Sequence, residues 1–266
     1  MQKNGRSLQE TVLVSIRGRK ARKAKSEQRK RIDDTEMVVA SYNVHKCIGV
    51  DRKFDPERTA RVIREISPDV IALQEADNRF GDRAGLLDLA RLEMETGLVP
   101  VPITGNGKGH GWRGNLLLFK RGTVRDVHQI KLPGLEPRGA IVAEIDLDQK
   151  PTLRVIAAHL GLLRHSRSEQ ARAVLDIMSS ADERPTLLLG DLNEWRLGNR
   201  SALNTLHTTF GPLPPAVPTF PSSLPLLALD RIMANRHGMI STVEAHDTPL
   251  SRVASDHLPL TAFVHL

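Results

Sequence analysis

The chain holds one cysteine, Cys47, one tyrosine and two tryptophans in 266 residues. A lone cysteine excludes an intramolecular disulfide, so nothing points to a small secreted fold stapled by cross-links. Aromatic residues make up 3% of the chain, which argues against the extensive base stacking of single-strand binders. No apolar run approaches the ~20 residues of a membrane-spanning helix. The N-terminus lacks the apolar core of a signal peptide, so the expected location is cytoplasmic. Hydrophobic residues account for 40%, enough for a sizeable core.

The formal charge of +7 is unevenly spread. Residues 1–31 carry eleven Lys and Arg against Glu10 and Glu27, a net of +9, which leaves the rest of the chain with 27 basic and 29 acidic side chains, a net of −2. Residues 1–35 therefore read as an appended basic leader, either a solubilising tail or an electrostatic tether to an anionic membrane surface or nucleic acid. A protein that tracks a long nucleic acid needs excess basic surface around its groove. The near-neutral body shifts weight towards a smaller or lipid phosphodiester.

From Met37 onward apolar runs alternate with amphipathic segments. A strand to His45, a helix over Pro56–Ile66, a strand Val70–Glu75 and a helix Ala84–Glu95 are expected. Asp55 is placed to cap the first helix and Pro56 to occupy its first turn. Strands at Asn115–Phe119, Val124–Leu132, Ala140–Leu147 and Leu153–His159 follow without intervening helices, which predicts antiparallel hairpins. A helix over Ser168–Met178, a strand into Asp191, a short helix near Ser201–Leu206 and three closing strands complete the reading. The proline-rich stretch from Pro212 to Pro225 is too irregular for an element and reads as a loop. One domain over 36–266 is expected, and a monomer, because polar motifs spread from Asn43 to His257 must converge on one site.

Those motifs are SYNVH (41–45), LQEAD (73–77), LLLGDLNEW (187–195) and SDHLPL (255–260), each at the end of an apolar run. Buried strands deliver their polar ends to one rim of a sheet, where carboxylates, amides and imidazoles make a site for a hard cation and a phosphate. Glu75 ends such a strand and needs a cation or donors; Lys46 or Arg79 could serve instead of a metal. Asp191 and Asn193 are two apart, so on an extended strand they project to one side and can hold a water between them. Asp256 and His257 are placed on the last strand, pointing to opposite faces. Cys47 reads as packing, since no triad spacing accompanies it.

Taken in order, Asn43, Glu75, Asp191 with Asn193, Asp230 in LDRIMAN and the Asp256–His257 pair resemble the signature of the endonuclease/exonuclease/phosphatase superfamily. The resemblance runs from about residue 37 to the C-terminus, with GDLN and SDH its most specific pieces. It implies an α/β fold, a four-layer α/β/β/α sandwich like deoxyribonuclease I with the site at the rim between the sheets. It implies Mg²⁺ or Mn²⁺ on Glu75, with Asn43 and Asp256 beside it, and Asp230 fixing the tautomer of His257. His159, in AAHL, stands where members place histidine or tyrosine to donate to phosphate. Asn115 resembles a loop asparagine that touches substrate; Trp112 and Arg138 are further substrate-binding candidates, with a hairpin loop and a salt bridge as the competing readings. The implied activity is metal-dependent hydrolysis of a phosphodiester, of a phospholipid head group or nucleic acid, or of a phosphomonoester, by in-line attack of water. A non-catalytic phosphate-binding module is the remaining alternative.

Overall fold

Alternate residues of the apolar runs face opposite ways, and both faces are buried, which is why these strands read as continuous rather than alternating. The computed structural model describes residues 36–78, 83–105, 108–148, 150–178, 184–196, 198–211 and 216–266. The expected leader, residues 1–35, lies outside them, as does Arg79.

Eleven strands are present among the described residues: β1 (Met37–Asn43), β2 (Val70–Gln74), β3 (Val99–Pro100), β4 (Leu116–Phe119), β5 (Gly122–Lys131), β6 (Gly139–Leu147), β7 (Leu153–His159), β8 (Thr186–Asp191), β9 (Asp230–Ala234), β10 (Ile240–Ala245) and β11 (Leu260–Val264). Helices α1 (Pro56–Ile66), α2 (Leu89–Thr96), α3 (Arg164–Met178), α4 (His207–Phe210) and α5 (Ser251–Ala254) lie between them. The strands form two sheets, one in the order β10-β11-β1-β2-β4-β3 and the other β5-β6-β7-β8-β9.

Three apolar clusters hold the layers. Val39, Val70, Ala72 and Leu117 of the first sheet meet Ile141, Val155, Leu187 and Leu189 of the second in the central cluster. The other faces of β1 and β2, through Ala40, Tyr42, Ile71 and Leu73, pack on Val62 and Ile63 of α1 and Leu92 of α2. Across the molecule Val142, Ile156 and Leu188 pack on Ala171 and Val174 of α3. This is the expected helix–sheet–sheet–helix order. Each layer excludes water from apolar surface at about 25 cal/mol per Å².

Local chemistry sets several boundaries. Asp55 caps α1 by accepting the Arg58 N–H at 2.9 Å, with Pro56 in the first turn. The second helix starts at Leu89, not Ala84, because Asp88 accepts the Arg91 N–H and begins it there. Residues 115–119 do not join the hairpin block. β4 pairs with β2 and β3, and the chain crosses between sheets at Lys120–Arg121 before the β5-β6-β7 meander begins. The last strand starts at Leu260, so Asp256 and His257 lie in the loop before it. Residues 216–225 of the proline-rich stretch are irregular, and Phe220 within them forms an isolated bridge with Leu227.

Candidate active site

Strand register lines up the predicted side chains. In the second sheet His159 at the end of β7 is opposite Asp191 at the end of β8, and Asp191 is opposite Asp230 at the start of β9. In the first sheet Asn43 ends β1 beside Gln74, the last residue of β2, so Glu75 follows at the same rim. The Asn43 Nδ2 donates to Asp191 Oδ2 at 2.9 Å, joining the two sheets.

Gly190, in GDLN, is needed for this. Its φ of +153° and its approach to β7 leave no room for a side chain: a Cβ would meet the Ala158 carbonyl oxygen at 1.8 Å. Only glycine relieves both constraints.

His257 reaches the row from the loop after α5. Ser255 Oγ donates to the Asn43 carbonyl at 2.7 Å and accepts from the His257 N–H at 3.2 Å, pinning this loop to the end of β1. The His257 Nδ1 lies 2.8 Å from Asp230 Oδ2, and its Nε2 faces Asp191 Oδ2 at 3.8 Å. Phe220 packs on the imidazole with ring centroids 5.0 Å apart, and Thr219 Oγ1 donates to Asp230 Oδ2 at 2.5 Å. Burial alone would lower the His257 pKa, but the Asp230 and Asp191 carboxylates outweigh it and push it up to about 10. At neutral pH this ring is an imidazolium held between two carboxylates.

His159 Nε2 stands 3.6 Å from Asp191 Oδ2 and within 2.8 Å of Arg138 Nη1. Arg138 is held in turn by Glu136 at 2.9 Å. Asn193 does not share a strand face with Asp191. Strand β8 ends at Asp191, and Asn193 turns away with φ +53°. It meets Asp191 through its backbone N–H, which donates to Oδ1 at 3.0 Å, while its Nδ2 donates to the Leu160 carbonyl.

Glu75 has a left-handed backbone, φ +54°, and pairs with Lys46 Nζ at 2.9 Å. Burial pushes its carboxyl up; the Lys46 ammonium, with His45 and Arg138 nearby, more than offsets this and the net shift is downward. Asp256 is half-exposed, with an oxygen 3.8 Å from His45 Nδ1. Beside these residues opens a cleft lined by Lys46, Glu75, Asp77, Arg83, Arg113 and Arg138. Asn115 lies under that cleft, fully buried, its Nδ2 donating to the Gly139 and Trp112 carbonyls. Trp112 is half-buried against the central core and donates from Nε1 to the Ile130 carbonyl. Both hold the hairpin loop in place.

Thr219 and Phe220 escape sequence reading because no motif marks them; Ser255 opens the SDH string, but nothing in the sequence shows that its hydroxyl pins the loop. Lys46 appears in the sequence only as a possible partner of Glu75. Cys47 is buried beside α1, and burial raises its thiol to about 11, which leaves it a packing residue.

The sequence matches the endonuclease/exonuclease/phosphatase family over residues 40–257. The chain belongs to that family. Among curated proteins it is similar to the uncharacterised protein YbhP of Escherichia coli K12, 26% identical over 252 residues that cover 86% of this chain and 96% of that one. Its fold resembles an endonuclease/exonuclease/phosphatase from Beutenbergia cavernae, with a TM-score of 0.65 and 23% identity over 87% of this chain and 72% of the other. A mannosyl-6-phosphatase from Bacteroides thetaiotaomicron aligns with a TM-score of 0.65 and 15% identity over 86% and 99% of the two chains. D. rerio TDP2 complexed with a single-strand DNA product aligns at 0.58 and 16% over 88% and 100%. At these identities the structures establish the shared sandwich, with helices outside two sheets. Among the described residues no helix is long and apolar enough to cross a membrane.

Proposed function

We propose that this protein hydrolyses a phosphodiester by attack of water, with a divalent metal ion as cofactor. The observation that carries the reading is the buried group of Asp191, Asp230 and His257, into which Asn43 and His159 also converge. Asp191 is positioned to take a proton from water, since Asn43 Nδ2 and the Asn193 N–H fix its two oxygens. The His257 imidazolium, backed by Asp230, offers a charged N–H donor to a phosphoryl oxygen, and His159 offers a second ring beside it. Arg138 carries fixed positive charge at the same place. A pure binding module has no use for a buried carboxylate aimed between two imidazoles.

Donor chemistry favours one place for a metal. Asp191, Asp230 and His257 bring ligand atoms within 4.8 Å of one another, but His257 Nδ1 and Asp230 Oδ2 already satisfy each other. Glu75, Asn43 and Asp256 offer two carboxylates and an amide, the oxygen set that Mg²⁺ or Mn²⁺ prefers. When bound, the ion supplies polarisation of the phosphoryl group and offsets charge on the leaving oxygen. The Lys46 ammonium that pairs with Glu75 at 2.9 Å would compete with the ion for that carboxylate.

The test is hydrolysis of bis-p-nitrophenyl phosphate by the purified protein before and after chelation. Activity should vanish in chelator and return with Mg²⁺ or Mn²⁺. Undiminished turnover in chelator would remove the metal from the mechanism.

A further inference from the structure

Ten large apolar side chains are exposed among the described residues, and all but Met94 stand on connections at the catalytic rim. Leu135 lies between β5 and β6, Leu162 and Leu163 directly follow β7, and Trp195 follows β8. Leu224 and Leu226 precede β9. Across the cleft Val50 and Phe54 project from the β1–α1 loop and Val253 from α5. These connections share a rim because His159, Asp191, Asp230 and Asn43 terminate the strands they join. Turns at the opposite rim expose Asp148, Arg236 and His237 instead. Isolated surface leucines are ordinary, but a set confined to the mouth of one cleft is a different observation.

Charge sorts the possible occupants. Arg52, Lys53, Arg164, Arg196 and Arg200 stand on the same loops as the apolar side chains. Three acids on these loops are already engaged, Asp51 by Arg58 at 2.8 Å, Glu136 by Arg138, and Glu194, buried beneath the loop, by Arg167, which leaves Asp256 half-exposed beside His45. Arg196 lies over the Trp195 ring with its guanidinium carbon 4.8 Å from the centroid. Apolar tips on separate loops, with cations beside those at Val50, Phe54, Leu163 and Trp195, match a surface with anionic head groups above an acyl layer. A polynucleotide would use the cations and leave the leucines in water. A protein partner would be met by a continuous patch, not by tips divided by an open cleft.

We infer that this collar seats the cleft on an anionic phospholipid surface, so that the ester delivered to it is that of a lipid head group. The inference rests on the proposed phosphodiesterase reading for its substrate; the docking surface does not depend on turnover.

The experiment is sedimentation of the full chain with phosphatidylglycerol/phosphatidylcholine vesicles, in low salt and in about 1 M salt, where the Debye length is ~3 Å. Partitioning should persist in high salt, and the double variant Leu162→Ser, Leu163→Ser should lower it at least ~10-fold in that buffer. Trp195 emission should shift to the blue on binding, and Trp195→Ala should abolish the shift while thermal melting shows the fold intact. Equal binding by parent and variants overturns the inference. So does loss of a dimer in ultracentrifugation on making the serine variant, or a preference for oligonucleotide that the variants share. Vesicle binding through the collar without hydrolysis of any phosphoester would defeat the proposed function and leave the docking surface standing.

Discussion

With two carboxylates within 3.8 Å, His257 keeps its proton far above the pH at which a free imidazole loses it. A folded-state pKa raised above the unfolded value near 6.5 contributes stability that is complete below that value and is lost as pH rises through about 10. Thermal melts from pH 6 to 11 should therefore show a descending limb between these limits, and Asp230→Asn should shift that limb to lower pH. A limb unmoved by the substitution would mean that Asp230 does not hold the charge. In turnover, Asp191→Ala and His257→Ala should each lower kcat by at least ~10², and the double variant little further, because both act on one transition state. Small additive effects would assign both residues to packing. The residues carrying this chemistry were legible because carboxylates and histidines at the ends of apolar runs have few structural reasons to be there. Thr219 and Phe220 were not legible, since their place beside Asp230 and His257 is set by a loop with no periodicity to read.

Among the elements, β8 bears the tightest local constraint. Gly190→Ala forces a methyl against the Ala158 carbonyl in a backbone region that alanine avoids. It should cost about 1–3 kcal/mol in chemical denaturation and reduce activity by moving Asp191. An unchanged midpoint would show that β7 and β8 can separate freely at this point. Strands buried on both faces, such as β2, β7 and β8, were readable from unbroken apolar runs, and α1 from its cap. The assignment of β4 was not: strands that follow one another without a helix between them read as hairpins, and only packing decides that this connection crosses between sheets. The place of Asp256 and His257 outside the last strand escaped for a related reason, because the Ser255 hydrogen bond that ties their loop to β1 joins residues 212 apart.

For the whole molecule, charge is divided between residues 1–31, net +9, and the remaining residues, net −2. Every proposed catalytic residue lies at or beyond Asn43. Removal of residues 1–33 should leave hydrolysis of a small soluble diester unchanged and weaken binding to anionic vesicles, most at low salt where the leader is least screened. Sedimentation of intact and shortened protein across a salt series checks this. Equal salt dependence would leave the leader without a role in targeting, and loss of soluble turnover would move the domain boundary towards the N-terminus.

The hydrogen bond from Asn43 to Asp191 crosses the seam between the sheets, and the residues around it are divided by that seam. Asn43, Glu75 and His257 belong to one side; His159, Asp191 and Asp230 belong to the other. Neither sheet alone holds a usable set. A shift of one sheet past the other by a single side-chain row would preserve nearly every ladder and leave the catalytic groups out of reach. Correct seating of the two halves thus acts as a safety catch: a chain with both sheets formed but misaligned would carry every one of these side chains and no assembled site.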